Sequence, residues 1–237
     1  MLILGIDSSS KTASAAVFDG AANKVLSEVN SGGNISHSEN LLPMIDYALK
    51  TAGISVGDID LFAVVNGPGS FTGIRIGVAT VKGLAFGGTG NCLAVSSLHA
   101  LAYNFAGLDN LKDVLILPVI DARRRQVYNA VFAADLEYIT RDRIITIDEL
   151  EEELNNNAQY AGKTVMFTGD GAEMCRGEIK TGGVKIKTPA ILQRPSAGSL
   201  CAAALREYKQ NGAVGADKLV PAYLIKTQAE REYKDEK

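Results

Sequence analysis

Two short stretches of the chain carry side chains whose types and spacing suit phosphate chemistry. DSSSKTASAAVF (residues 7–18) aligns without a gap with DARRRQVYNAVF (residues 121–132). In a fold made of two such halves, the turn after each first strand can point backbone N–H groups at a phosphate between the halves. The hydroxyl side chains and Lys11 of the first turn suit an anion, and Asp7 could hold a metal through water. The alternative of equal weight is an aspartate that only caps the turn by accepting backbone N–H bonds.

The second turn suits an anion less well than the first. Residues 121–125 contain three bulky arginines and no glycine, so close backbone approach is lost while the charge stays attractive. A solvated turn is the ordinary interpretation of such a cluster. If the cleft between the two halves once hydrolysed ATP, then the phosphate-binding turn of one half is altered. The candidate phosphate-binding residues are Asp7, Ser8, Ser9, Lys11, Gly67, Gly69 and Ser70.

The segment NGPGSFTGIRIG, residues 66–77, is the densest local signal in the sequence. It lacks both the Gly-Lys-Ser/Thr ending of a phosphate loop and the GxGxxG dinucleotide pattern. Ser70 or Thr72 is predicted to cap the helix that follows, whose N-terminus carries partial positive charge and could attract an anion. A tight turn that only reverses the chain is the alternative.

The helix after this loop has one face with almost no side-chain volume. Gly73 and Gly77 lie four residues apart on it, and each interior glycine costs about 1 kcal/mol relative to alanine. A close contact with another helix is expected to offset that cost. The other helix is either the preceding SENLLPMIDYALK segment or its equivalent in a second molecule. Met44 and Tyr47, which the core stripe of that segment does not use, favour association, while packing within the chain stays open.

Groups suited to catalysis are scarce in this sequence. His37 and His99 are the only histidines, with no H-x-x-x-H pair, and no G-x-S-x-G elbow accompanies the serines. His99 is expected at the surface or at a helix cap rather than as a base. The prediction is therefore a chain with no catalytic residue and no metal site.

Composition narrows the classes of protein further. The formal net charge of -3 over 237 residues argues against a surface devoted to nucleic acid. Three cysteines without a CxxC pair suit a reducing compartment. No apolar run approaches the roughly 20 residues of a membrane span, and MLILGID is too short for a signal peptide. We expect a cytoplasmic protein with no membrane contact.

The order of predicted elements repeats as well. Each half opens with three strands followed by a helix and a further strand, which predicts an α/β fold with two lobes, each a mixed five-stranded type of sheet flanked by helices. The expected domains are an N-terminal lobe (1–108) that carries the association helices, a C-terminal lobe (109–225) and a charged tail (226–237). Gly53 is the predicted C-cap of the first helix, and Thr146 with Glu149 forms a predicted capping box.

Several segments together resemble one family. ILGIDSS, HSENLLPMID, NGPGSFTGIRIGVATVKGLAF, VSSLHALA, DARRRQVY and PAYL are similar to the TsaB (YeaZ) family, over residues 1 to about 225. This family supplies a bacterial subunit of the machinery that installs threonylcarbamoyladenosine in tRNAs. The resemblance implies a duplicated actin-like ATPase (RNase H-like) fold.

The resemblance also implies a supporting role. The related catalytic family, TsaD, carries a metal-binding H-x-x-x-H where this chain has Ser97 and Leu101. The implied partners are TsaD and the ATPase TsaE, with a homodimer in isolation and tRNA reached only through the complex. No cofactor of its own is implied, and ATP or ADP belongs to the complex. The implied interface residues are His37, Leu41, Met44, Ile45, Tyr47, Ala48, Gly73, Ile76, Gly77, Thr80, Val81 and Leu84.

Two other classes of function stay open. An autonomous actin-fold ATPase or kinase, or a glycoprotease-like peptidase, would turn over substrate alone and lose activity on Asp7→Ala. A dedicated tRNA binder would show a salt-dependent affinity in isolation.

Overall fold

The two halves of the chain repeat one order of strands and helices. A computed structural model describes residues 1–32, 36–86, 90–107 and 113–224. The first half contains β1 (Leu2–Asp7), β2 (Ser14–Asp19), β3 (Lys24–Asn30), α1 (His37–Ala52), β4 (Leu61–Gly67), α2 (Phe71–Phe86), β5 (Asn91–Ser96) and α3 (Ser97–Ala102). The second contains β6 (Val114–Arg123), β7 (Gln126–Ala133), β8 (Tyr138–Thr146), α4 (Ile147–Asn156), β9 (Thr164–Thr168), α5 (Ala172–Glu178), β10 (Lys185–Lys187) and α6 (Ala197–Asn211).

Each half forms a mixed sheet with the same strand order. β1 pairs antiparallel with β2 and parallel with β4, and β6 pairs in the same two ways with β7 and β9. The order is β5-β4-β1-β2-β3 in the first sheet and β10-β9-β6-β7-β8 in the second. A short strand, β11 (Val214–Gly215), adds a sixth strand beside β5. The predicted duplication of two mixed sheets flanked by helices is confirmed.

Local signals in the sequence explain where the helices begin and end. Gly53 ends α1 in the left-handed conformation with φ 69°, which glycine adopts without a Cβ penalty. Thr146 and Glu149 exchange the predicted capping-box hydrogen bonds at the start of α4. The sequence pattern missed α5 and β10, because the first has only seven residues and the second only three. Such short elements lack a readable period.

The apolar core lies in three layers. α1 and α2 cover one face of the first sheet, and α4 and α5 cover one face of the second. The middle layer lies between the sheets and contains α3 and α6. α6 packs mainly on β1 and β2 of the first sheet, although it belongs to the second half of the chain. Within the described ranges, no helix is both long and apolar enough to cross a membrane.

The predicted second domain therefore needs correction. Residues 109–225 do not form one lobe, because α6 and β11 pack on the first sheet and the segment after β11 returns to α2. Sequence patterns identify the elements but not which sheet a late helix joins. The predicted tail (226–237) lies outside the described residues, as does the chain at the predicted lobe boundary.

Candidate functional site

The turns that follow β1 and β6 face each other across a cleft between the lobes. A cavity of about 600 Å³ separates them, lined by both turns, by Gly69 and Ser70, by the start of α1 and by Asp170 after β9. A second cavity of about 340 Å³ continues the cleft toward Arg194. The two repeated sequences thus meet where the duplication predicts. Asp170 and Arg194 were not among the sequence candidates, since neither belongs to the repeat.

Asp7 caps its own turn. Its carboxylate accepts hydrogen bonds from the Ser9 backbone N–H at 2.8 Å and from the Ser9 hydroxyl at 2.7 Å. Burial raises the pKa of Asp7, and these two hydrogen bonds oppose the shift. A buried carboxylate with intramolecular donors already performs a structural task. This arrangement is the structural alternative stated for Asp7 above.

The small-residue face of α2 is filled by the first turn. A Cβ on Gly73 would lie 2.0 Å from the carbonyl oxygen of Ser8, and one on Gly77 would lie 2.5 Å from the Ser8 hydroxyl oxygen. That hydroxyl donates to the Gly73 carbonyl at 2.8 Å. The prediction that another helix occupies this face is therefore wrong. The contact that offsets two helix glycines is the chain's own β1–β2 turn.

The loop before α2 is held against the same turn. Ser70 N–H donates to the Ser9 carbonyl at 2.7 Å, and a Cβ on Gly69 would lie 2.4 Å from that oxygen. The Ser70 hydroxyl accepts from Gly73 N–H at 3.2 Å, which confirms Ser70 as the helix cap. Gly67 faces elsewhere, because its Cβ would lie 2.4 Å from the carbonyl oxygen of Ala222. The polar groups of Ser70 are thus used in hydrogen bonds within the fold.

The second turn is built from arginines in a conformation that favours glycine. Arg123, Arg124 and Arg125 have φ values of 71°, 52° and 58°. Arg125 forms ion pairs with Asp148 at 2.9 Å and with Glu178, so its charge points away from the cleft. Arg123 and Lys11 line the cleft cavities. The cleft therefore has cations at its wall, while three Cβ atoms stand where a phosphate cradle would have glycines.

Acidic groups balance those cations. Asp121 pairs with Arg123 at 3.3 Å, and its backbone N–H donates to the Asp170 carboxylate at 3.0 Å. Burial raises the pKa of Asp170. Within the part of the chain that the structure describes, no three His, Cys, Asp or Glu side chains come together as a metal-binding group.

The predicted surface position of His99 is wrong. This side chain is buried between the lobes, where its Nδ1 lies 2.7 Å from a carboxylate oxygen of Glu207 on α6. Its ring stacks on Phe132 at 5.5 Å and meets Tyr103 edge-on at 5.1 Å. The apolar residues of SLHALAYNFA pack between the two sheets, and the pattern of a single helix does not reveal this.

A buried carboxylate next to His99 gives a test by pH. The Ser96 hydroxyl donates to one oxygen of Asp142, while the other oxygen is buried without a partner among the described residues. Burial raises the pKa of Asp142, so its stabilising contribution is present below the unfolded pKa and is lost as pH rises through the folded pKa. We compare the free energies of unfolding of Asp142→Asn and wild type, measured with urea. As pH rises from 4 to 7, we expect the difference between them to change in favour of Asp142→Asn. An equal difference at both pH values would contradict this account.

Most of the predicted interface residues lie in the core. Leu41, Met44, Ile45, Ala48, Gly73, Gly77 and Val81 are buried within the chain. The prediction that Met44 stays outside the core stripe is wrong, because its side chain is 8% exposed and packs in the core between the helices and the first sheet. His37 lines the cleft instead, and its Nε2 lies 2.7 Å from the Ser10 carbonyl oxygen.

The outward face of α1 and α2 remains accessible. Tyr47 is 64% exposed and Leu42 is 56% exposed on α1. On α2, Ala79 and Gly83 are exposed four residues apart, and no described residue lies within 4 Å of a Cβ added to Gly83. Ile76, Thr80 and Leu84 are half-buried beside them. We call Leu42, Tyr47, Ala79 and Gly83 the outer helix face.

Comparisons with known proteins show a family model and several relatives that are similar to this chain. A family model described as TsaD, tRNA N6-adenosine threonylcarbamoyltransferase, matches residues 25–233. The chain is 33% identical over 172 residues to the Bacillus subtilis tRNA threonylcarbamoyladenosine biosynthesis protein TsaB, covering 71% of each chain. It belongs to the TsaB family. The Escherichia coli TsaB is 28% identical over 225 residues, with 94% of each chain covered.

Solved structures agree with the fold of this TsaB-family chain. YeaZ from Pseudomonas aeruginosa has a TM-score of 0.76 at 25% identity, covering 94% of this chain and 99% of that one. A Bacteroides thetaiotaomicron protein with an actin-like ATPase fold has a TM-score of 0.50 at 10% identity, covering 86% of this chain and 95% of that one. The expected family and the expected actin-like fold are confirmed.

Ser97 and Leu101, the two positions that the resemblance compares with the H-x-x-x-H pair of TsaD, are both buried in this chain. Ser97 is buried, and its hydroxyl donates to the Pro68 carbonyl. Leu101 is buried in the core between the sheets. A leucine side chain has no donor or acceptor atom for a metal, and the Ser97 hydroxyl already forms a hydrogen bond within the first half of the chain.

Proposed function

We propose that this chain is a non-catalytic subunit in the synthesis of threonylcarbamoyladenosine in tRNA. It supports the transfer of the threonylcarbamoyl group from threonylcarbamoyl-adenylate to adenosine in the anticodon loop, a reaction carried out by a TsaD protein with the help of TsaE. The chain acts in the cytoplasm and reaches tRNA only through this complex. Membership of the TsaB family supports a role in this pathway, because relatives are named tRNA threonylcarbamoyladenosine biosynthesis proteins.

The observation that carries the non-catalytic role is the packing of the first turn. Ser8 fills the space beside Gly73 and Gly77, Ser9 bonds to Asp7 and Ser70, and the second turn presents arginine Cβ atoms. A phosphate cradle needs free backbone N–H groups and room for close approach. In the first turn, the Ser9 N–H and the space between Ser8 and α2 are already used, and the second turn presents arginine side chains. We therefore assign any ATP or ADP to the complex rather than to this chain.

Nucleotide titration tests this role. We expect Mg-ATP to give no saturable binding heat with the isolated chain and no release of inorganic phosphate. Asp7→Asn is expected to change neither result, since an asparagine oxygen can still accept from Ser9 N–H. Saturable binding of Mg-ATP that Asp7→Asn abolishes would favour the autonomous ATPase or kinase.

The outer helix face is the proposed docking surface for the partner. Exposed apolar side chains beside a small-residue stripe suit close packing of another helix. In isolation the same face joins two copies of this chain, and in the complex it joins one copy to TsaD. Because the predicted glycine pair 73/77 is buried, docking uses Gly83 instead.

Reconstitution tests the proposal as a whole. Purified TsaD, TsaE, threonylcarbamoyl-adenylate and tRNA are incubated with and without this chain, and modified adenosine is measured by mass spectrometry of digested tRNA. We expect modification only in the mixture that contains this chain, and none from this chain alone. Equal modification in the two mixtures would contradict the proposal, as would proteolysis or tRNA modification by the isolated chain.

A further inference from the structure

One arginine on α2 stacks on one aromatic ring and donates a hydrogen bond to the hydroxyl group of a second. The guanidinium carbon of Arg75 lies 3.7 Å from the centroid of the Phe71 ring and 5.8 Å from that of Tyr223. The two rings are 5.2 Å apart, and Arg75 Nε–H donates to the Tyr223 hydroxyl oxygen at 2.8 Å. We call these three residues the arginine clamp. It lies on the exposed stripe of α2 that also carries Ala79 and Gly83.

The end of the described chain fixes this clamp. Ala222 N–H donates to the Asn66 carbonyl at 2.8 Å, and Asn66 Nδ2 donates to the Val220 carbonyl at 3.2 Å. Leu219 is buried against the first sheet's helices. These contacts hold Tyr223 on the first turn of α2, so the guanidinium plane is oriented before any partner binds. Orientation in advance lowers the entropy cost of a later contact.

The clamp leaves the strongest donors of Arg75 unused. Its side chain is exposed, and its two terminal nitrogens have no hydrogen-bond or ion-pair partner among the described residues. A guanidinium fork matches a carboxylate through two parallel hydrogen bonds. Phe71 and Tyr223 expose apolar surface beside it, and Val220 and Leu224 are exposed on the same C-terminal segment as Tyr223. This combination of a planar cation and an apolar rim suits an acidic side chain at a protein interface.

The neighbouring helix supplies acidic groups of the required kind. α2 contains only Arg75 and Lys82 as charged residues, whereas the exposed side of α1 carries Glu39 and Asp46. Asp46 pairs with Lys50 at 2.6 Å, and Glu39 has no ion pair among the described residues. In a two-fold contact between copies, any contact from the α2 of one copy to the α1 of the other is made twice. Such a contact would place Arg75 of each copy opposite the carboxylates of its partner.

We propose that the arginine clamp binds a carboxylate from α1 of a second copy of this chain, extending the outer helix face to the chain's C-terminal segment. This inference rests on the proposed docking role of that face. Arg75 is then the charged residue that sets register, while Phe71 and Tyr223 position its guanidinium.

Charge reversal followed by mixing tests the clamp. By sedimentation velocity, Arg75→Glu is expected to raise the dimer dissociation constant about tenfold or more, because like charges then face each other twice. Glu39→Arg and Asp46→Arg are prepared separately. Mixing Arg75→Glu with the acid variant that faces the clamp is expected to restore a heterodimer of wild-type affinity, since both contacts become complementary. Arg141→Glu is the control, because Arg141 also stacks on a tyrosine, Tyr138 at 4.4 Å, but in the other lobe.

The outcomes separate this inference from the docking proposal. If Gly83→Leu weakens the dimer while Arg75→Glu does not, the clamp is overturned and the outer helix face stands. Failure of both acid variants to restore the heterodimer also overturns the clamp. If neither Gly83→Leu nor Arg75→Glu changes sedimentation, or if the wild-type chain is a monomer, the docking face fails together with the clamp.

Discussion

Gly73→Ala is expected to lower the free energy of unfolding by about 3 kcal/mol, at the upper end of ordinary overpacking costs. The added Cβ would lie 2.0 Å from the Ser8 carbonyl oxygen, which is backbone and cannot rotate away. The turn cannot retreat cheaply, because the Ser8 hydroxyl bonds to Gly73 and the Ser9 carbonyl bonds to Ser70. Urea unfolding followed by circular dichroism measures the loss.

Gly83→Ala is the matched control on the same helix. In the described part of the chain, nothing lies within 4 Å of its added Cβ, so the helix gains up to about 1 kcal/mol from the better propensity of alanine. If Gly73→Ala were as stable as wild type, or if both variants lost stability equally, Ser8 would not be the neighbour that requires a glycine at position 73.

Gly83→Leu is expected to weaken self-association about a hundredfold, or by about 3 kcal/mol, without unfolding the chain. The new side chain meets no other described residue in the monomer, but it would occupy the gap through which the proposed partner helix approaches Ala79 and Gly83. Sedimentation velocity gives the dissociation constant, and a thermal melt at low protein concentration checks the fold.

Gly177→Leu supplies the control for leucine on an exposed helix. Gly177 lies on α5 of the second lobe, and none of the residues that the structure describes is within 4 Å of its Cβ position. We expect this variant to associate like wild type. Dimers of Gly83→Leu that are as stable as those of Gly177→Leu would remove the outer helix face as a docking surface.

The sequence predicted the architecture well because its signals were local and repeated. A few neighbouring residues determine each buried strand, the Gly53 cap and the Thr146 capping box. The repeated order of elements predicted the two lobes. The arginines of the second turn and its missing glycines predict a poor phosphate cradle, and whether this turn binds phosphate stays a prediction.

The sequence could not say which surface the α2 glycines face. Gly73, Gly77 and Gly83 are the same residue type on the same helix. A Cβ on either of the first two would meet Ser8, whereas a Cβ on Gly83 would meet no described residue. That difference comes from the distant β1–β2 turn, 65 residues from Gly73 in sequence. The same limit explains Met44 and His99, whose burial depends on contacts with other elements. The arginine clamp was missed for the same reason, because it joins α2 to Tyr223, a residue far from α2 in sequence.

The most direct test of the account compares Asp7→Asn with Gly83→Leu in the reconstituted reaction, with modified adenosine measured at equal chain concentration. A subunit that works by docking predicts wild-type modification with Asp7→Asn and a large loss with Gly83→Leu. Loss of modification with a folded Asp7→Asn chain, together with full modification by Gly83→Leu, would mean that the cleft performs the function and the helices do not.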